Sequence, residues 1–349
     1  MSVKPYKLDD VSLIRPILIL LLVVMHSFTM YAGSWKMPEG IENIRAYFWI
    51  AKFTFSFMLE MFVLISGYLF AYQTLDKNKN KKLKNLAIGK VKRLILPSII
   101  FSIIYYFLFV NNDQSIYLSI YNIVKGMGHL WFLPMLFWCF IGGWLFMRIK
   151  MNEKLKLFLL LILVIVSFIP LPLGIGAVLG YLFYFYLGIL FWKHREMIQK
   201  KLSNEKVLGI LVISFLIIFV VLTLVIEKLS TIEQEQANMF IKATIISLQK
   251  FCKFVYATMG CFVMYGTANY LLNIKKIQLP QWLIKANSIC FGVYIFQQFV
   301  LKILYYETSL PNLLGSYWLP VVGGIITLFV SVLLSQLMLK FKFGRYLIG

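Results

Sequence analysis

Residues 207–226 read VLGILVISFLIIFVVLTLVI, twenty consecutive positions without one charged side chain. That is the length a helix needs to cross about 30 Å of hydrocarbon, and few other environments accept so long an apolar surface. The run is not isolated. The chain has 349 residues, 60% of them apolar and 14% charged, where soluble domains carry about 25% charged residues. One water-soluble core cannot bury that excess, so a soluble fold is excluded, and with it disorder, collagen and coiled coil.

Ten stretches have spanning character: 13–32, 47–72, 94–111, 129–148, 155–170, 175–192, 207–226, 251–272, 287–306 and 317–339. The expectation is an all-α integral membrane protein, a bundle of about ten transmembrane helices forming a single polytopic domain over 1–349. The connection at 170–174 predicts a tight helical hairpin. Residues 73–93 read as a basic loop, and 227–250 as the longest loop on the opposite side, carrying an interfacial amphipathic helix at 239–248. No internal repeat is visible.

The formal net charge of +21 would suggest nucleic acid in a soluble chain. Here the cations fall between the apolar runs, and 25 of the 35 Lys and Arg lie in alternate connections or at the two ends. The charge therefore reads as topology and excludes a nucleic-acid partner: the basic side is cytoplasmic, and both termini are placed there. The first run, 13–32, follows a basic start as a secretory signal would. At about 20 residues it exceeds a signal's 7–15 residue apolar region, and it holds Arg15 and His26, so it is expected to be retained. Cys139, Cys252, Cys261 and Cys290 lie in or beside apolar segments without a CxxC pair and predict free, buried thiols.

Ionisable groups inside hydrocarbon cost ~2.5–3.5 kcal/mol on insertion scales, which makes each a functional candidate. Glu60 is the only acid deep in a span, near its middle. Arg15 and His26 are eleven residues apart, roughly 16.5 Å of rise and three turns, so they share one helix face, with Arg15 at the cytoplasmic edge and His26 towards the far side. Simple structural roles fit both: a snorkelling topology anchor for Arg15, a hydrogen-bonded packing histidine for His26.

Five segments in order carry a resemblance. Arg15 and His26 with ten residues between them, FVLISGYLF at 62–70, KRLILP at 92–97, HLWFLP at 129–134 and NSICFGVY at 287–294 resemble the motifs of the membrane-bound acyltransferase 3 family, over residues 15 to about 300. Many relatives continue the last motif with Tyr-x-x-His, where this chain has Gln297 and then Gln298. Glu60 stands where many relatives have an uncharged residue.

The resemblance implies acyl transfer, commonly of acetyl, from a cytoplasmic acyl-CoA such as acetyl-CoA to a hydroxyl of a cell-surface carbohydrate or lipid-linked glycan in a bacterial inner membrane. His26 is then the candidate general base or transient acyl carrier, with Glu60 as its orienting acid and His129 as a further catalytic candidate. Ser66, Trp131, Tyr294 and Gln297 are candidates for the acceptor or the oxyanion. Arg15, Lys90, Lys92 and Arg93 are placed to meet the phosphates of the coenzyme. The lysine run at 77–84 reads as a topology signal and lipid contact. No bound cofactor is implied, and no metal, because the three histidines lie on three separate segments. Membrane lipids are the remaining partners, and the sequence assigns no oligomeric state. A polytopic transporter or flippase shares the composition, but it should show repeated halves with broken helices, whereas the ionisable groups here cluster in the first four spans.

Overall fold

The computed structural model describes residues 8–79, 82–110, 115–169, 174–235 and 238–349, and among these all regular structure is helical. The α-helices are α1 (Asp9–Phe28), α2 (Arg45–Phe55), α3 (Met58–Ala71), α4 (Leu83–Lys90), α5 (Leu96–Phe109), α6 (Ile116–Lys125), α7 (Phe132–Arg148) and α8 (Glu153–Val166). They continue as α9 (Ile175–Lys193), α10 (Arg195–Leu202), α11 (Glu205–Glu235), α12 (Met239–Asn269), α13 (Gln281–Tyr306), α14 (Leu310–Lys340) and α15 (Lys342–Ile348). The helix starts are written locally. Asn152, Asn204 and Asn238 accept hydrogen bonds from the first-turn N–H groups of α8, α11 and α12, satisfying donors that the helix itself cannot.

Eight helical segments among the described residues are long and apolar enough to cross a membrane: Asp9–Ala32, Arg45–Asp76, Leu83–Phe109, Gly128–Arg148, Ile175–Lys193, Glu205–Glu235, Gln281–Tyr306 and Leu310–Lys340. Eight of the ten expected stretches fall in this set. The stretch at 155–170 belongs to α8, whose 14 residues rise only roughly 21 Å. The stretch at 251–272 lies in the second half of α12 and the π turn after it, where the apolar sequence is broken by Lys253 and several Thr, Gly and Tyr positions.

Two expected loops are corrected. Residues 227–250 are not a loop with a separate interfacial helix: α11 runs on to Glu235, and 239–248 is the first part of the continuous α12. Each of these helices has 31 residues, roughly 46 Å, and overshoots the hydrocarbon. Residues 73–93 are likewise mostly helical, with π turns at Tyr72–Asp76 and Val91–Ile95 around α4. The connection at 170–174, apart from Gly174, lies outside the described residues, as do Lys4, Lys7 and Lys81.

The centre of the bundle is the crossing of α3 with α9. A Cβ on Gly67 would lie 1.9 Å from the carbonyl oxygen of Phe185, and one on Gly188 would lie 1.9 Å from that of Leu64. Reciprocal glycines let the two backbones touch, as close packing in lipid requires. Aromatic rings fill the surrounding space: Phe70, Phe140 and Phe185 pack together, and Tyr68 meets Trp192 and Tyr265 edge-on.

One end of the bundle collects the basic connections. There the Tyr68 hydroxyl donates to Asp10 (2.6 Å), the Trp192 indole donates to Asp76 (3.0 Å), Lys193 donates to Glu153 (2.9 Å), and Arg93 donates to the carbonyl of Gly349 (2.8 Å). The start of α1 and the last residue of the chain are therefore at the same end. All four cysteines are free and buried, as expected.

Candidate active site

The first helix builds the site from both of its ends. Arg15, Ile19 and Leu22 follow one another at helical spacing and line an elongated cavity of about 280 Å3, and His26 continues the same stripe one turn beyond Leu22. The cavity runs from Gln73, in the π turn that follows α3, along α3 to Leu59, roughly 21 Å of helix, with Leu133, Phe140, Cys290 and Tyr294 among the other walls. Its mouth at the basic end carries Arg15, Lys90 and Arg93. Lys90 and Arg93 are three residues apart and share a helix face. Lys92 is exposed and, unlike the other three expected cations, does not line the cavity. The Lys90 ammonium sits 3.5 Å above the Phe140 ring, a cation held within the cavity wall.

At the far end of the stripe the His26 ring is buried, and its Nδ1 has no hydrogen-bond partner. Trp35, from the segment between α1 and α2, stacks on it at 5.9 Å and 24°. His129 meets it edge-on at 6.3 Å. The fully buried Gln297 side chain lies against the same ring, with its own amide atoms outside hydrogen-bond geometry. Three helices thus aim at one point: α1 supplies His26, the turn before α7 supplies His129, and α13 supplies Gln297.

His129 is close to His26 but differently employed. Its Nε2 faces the carbonyl of Ile295 at 3.0 Å, and its Nδ1 faces the side-chain oxygen of Gln298. Its backbone N–H donates to the same Gln298 oxygen (2.7 Å), and its carbonyl accepts from the Tyr294 hydroxyl (2.7 Å). Both ring nitrogens are packed against protein oxygens, which holds the ring in one orientation. His129 is a fixed wall of the site, and Gln298, next to the expected Gln297, is what fixes it. Gln298→Met leaves the His129 N–H and one ring nitrogen buried without a partner. A loss of ~2–4 kcal/mol is expected, read as a lowered melting temperature in detergent.

The other expected residues scatter. Ser66 lines the cavity, with its hydroxyl donating to the Phe62 carbonyl (2.8 Å). Tyr294 lines the cavity and braces His129. Trp131 packs on Tyr181 and Phe132, outside the cavity. Glu60 is not brought to His26. It turns to a separate cleft, where its nearest cation is Lys253 of α12 at 3.8 Å; the pairing with His26 fails because successive residues of α3 diverge, Leu59 into the cavity and Glu60 away from it. Among the described residues no group of three His, Cys, Asp or Glu could hold a metal ion.

The profile of the acyltransferase 3 family, described as an acyltransferase domain, matches residues 8–340. The chain belongs to the acyltransferase 3 family. No curated protein and no solved structure matches it. As a member of the acyltransferase 3 family it is an acyltransferase enzyme, and its long apolar helices agree with a multi-pass membrane protein.

Proposed function

We propose that this acyltransferase moves an acyl group, acetyl in the first instance, from acyl-CoA to a hydroxyl of a cell-surface carbohydrate or lipid-linked glycan, in a bacterial inner membrane with the basic end in the cytoplasm. The observation that carries the reading is the His26 imidazole, set among Trp35, His129 and Gln297 one turn beyond a cavity whose other end bears Arg15, Lys90 and Arg93. The coenzyme's phosphates would rest on those cations, its arm would follow the cavity, and the thioester would be presented to the face of the bundle that holds His26.

A sugar hydroxyl is a weak nucleophile at neutral pH. As its oxygen bonds to the thioester carbonyl carbon, the imidazole takes its proton; as the tetrahedral intermediate collapses, the C–S bond breaks and the proton passes to the departing thiolate. Stacking on Trp35 and contact with His129 and Gln297 hold the ring in place. The Gln297 amide, with no other hydrogen bond, is a donor in reach of charge developing there.

Membranes containing the chain and given acetyl-CoA labelled in the acetyl group are expected to place label on an extractable glycan or glycolipid; label found only on coenzyme or free acetate rejects the reading. In the same assay Lys90→Met and Arg93→Met are each expected to raise the KM for acetyl-CoA by about tenfold with kcat altered less than about twofold, the pattern of lost uniform binding. Lys92→Met, outside the cavity, is expected to leave both constants unchanged.

A further inference from the structure

A second hollow, of about 310 Å3, lies between α3, α8, α9 and α12, apart from the His26 site and using none of its residues. The helix pair α8 and α9 starts at the basic end, where Lys193 and His194 bond to Glu153. The 19 residues of α9, roughly 28 Å, carry the tip of the pair close to the far side of a hydrocarbon layer about 30 Å thick. The hollow runs from Glu60, in the body of α3, to this tip, so that only its outer end, at Lys250, comes near the far lipid headgroups.

Its charged groups are two cations and one carboxylate, beside the hydroxyls of Ser167, Tyr181 and Tyr184. The Lys250 ammonium donates to the carbonyls of Ser167 (3.4 Å) and Phe168 (2.8 Å), just past the end of α8, and so is pinned at the tip. Lys253 lies over the Phe55 ring at 4.0 Å and 3.8 Å from one Glu60 oxygen. Gly176 and Ala177, in the first turn of α9, form the opposite wall, so the positive end of that helix faces the same space. Two ammonium groups and a helix N-terminus favour an anion.

Glu60 adds a second requirement. It is 5% exposed, and its Oε2 has no hydrogen-bond partner. A buried carboxylate oxygen without a donor is costly, and it calls for an O–H or N–H from whatever enters. Tyr181 and Tyr184 flank it. Outside the mouth, Ile165, Ile169 and Ile175 are exposed and apolar at the same tip, a surface suited to acyl chains.

We propose that this hollow binds the headgroup of a phospholipid that carries a hydroxyl or amine beside its phosphate: the phosphate on Lys250, Lys253 and the start of α9, the donor on the Glu60 carboxyl group, the chains along Ile165, Ile169 and Ile175. The site is independent of the reaction assigned to His26.

Purified protein in detergent is titrated by calorimetry with dihexanoyl phosphatidylglycerol, which has phosphate and hydroxyls. The comparison probes are dihexanoyl phosphatidylmethanol, which lacks the hydroxyl, dihexanoylglycerol, which lacks the phosphate, and inorganic phosphate alone. Phosphatidylglycerol is expected to bind about tenfold more tightly than dihexanoylglycerol and about fivefold more tightly than phosphatidylmethanol. Lys253→Met should abolish the first advantage and Glu60→Met the second. Ala177→Leu, at a partly exposed position, fills the hollow and should remove binding without disturbing the core, so the proposal stays testable if Glu60→Met does not fold. Equal binding of dihexanoylglycerol, or wild-type affinity in both Lys253→Met and Ala177→Leu, overturns the site. Inorganic phosphate binding as tightly as phosphatidylglycerol overturns the lipid assignment.

Discussion

Replacing His26 by Ala is expected to lower the rate of acyl transfer by ~10²- to 10⁴-fold, the usual worth of a positioned general base. The loss should fall on kcat, because the donor cavity stops at Leu22 and the cations at its mouth are roughly 16 Å or more along α1 from the ring. The KM for acetyl-CoA is therefore expected to stay within about twofold of wild type. The substitution removes a ring that makes one stack with Trp35 and one edge contact with His129, so the variant should fold, which a melting curve in detergent checks. Free imidazole diffusing into the vacated space is expected to restore part of the rate. Unimpaired transfer by folded His26→Ala would exclude His26 as the base.

Gly188→Val should be the most damaging single change to the fold. Its Cβ would fall 1.9 Å from the Leu64 carbonyl oxygen and 2.8 Å from the Tyr68 nitrogen. These are backbone atoms inside a helix, unable to swing aside as a side chain could, so α3 and α9 must separate and lose the packing that holds them. A cost of about 3 kcal/mol or more is expected, at or beyond the top of the usual overpacking range. It would be read as loss of monodisperse protein on size exclusion and a lowered melting temperature. Gly67→Val should behave alike, since its Cβ meets the Phe185 carbonyl at the same 1.9 Å. Gly209→Ala is the control. Nothing lies within 4 Å of that position in α11, and Ala in a helix interior is favoured over Gly by about 1 kcal/mol.

The elements most legible in the sequence were those set by local rules. Apolar length placed the main spans because hydrocarbon thickness acts on every segment alike. Helical period placed Arg15 and His26 on one stripe, and the structure keeps them there, with Ile19 and Leu22 between. The misreadings came where partners are distant in the chain or where a helix ignores the edge of the hydrocarbon. The polar residues at 227–250 resembled a loop, yet a helix can continue past the hydrocarbon, and α11 and α12, at 31 residues each, are both longer than that layer is thick.

Glu60 and Lys253 are 193 positions apart, and only the packing of α12 against α3 joins them. Gln297 and Gln298 are neighbours about 100° apart around α13, so which one reaches His129 depends on how that helix is rotated against α1 and α7. Trp35 lies in an irregular segment with no period to reveal it. The motif at 129–134 did mark the neighbourhood of His26, but it could not show that the second imidazole is tied to two carbonyl oxygens.

The residues Leu59 and Glu60, adjacent in α3, look into different hollows, one reaching the basic mouth and the other opening at the hairpin tip. The rod they belong to is thus a partition with empty volume on two flanks. Because it is seated backbone to backbone on α9, it has no cushion of side chains on that side to absorb a shift. A sideways step of α3 towards either space must shrink that one and enlarge its neighbour, so the two volumes trade against each other across a wall one helix thick.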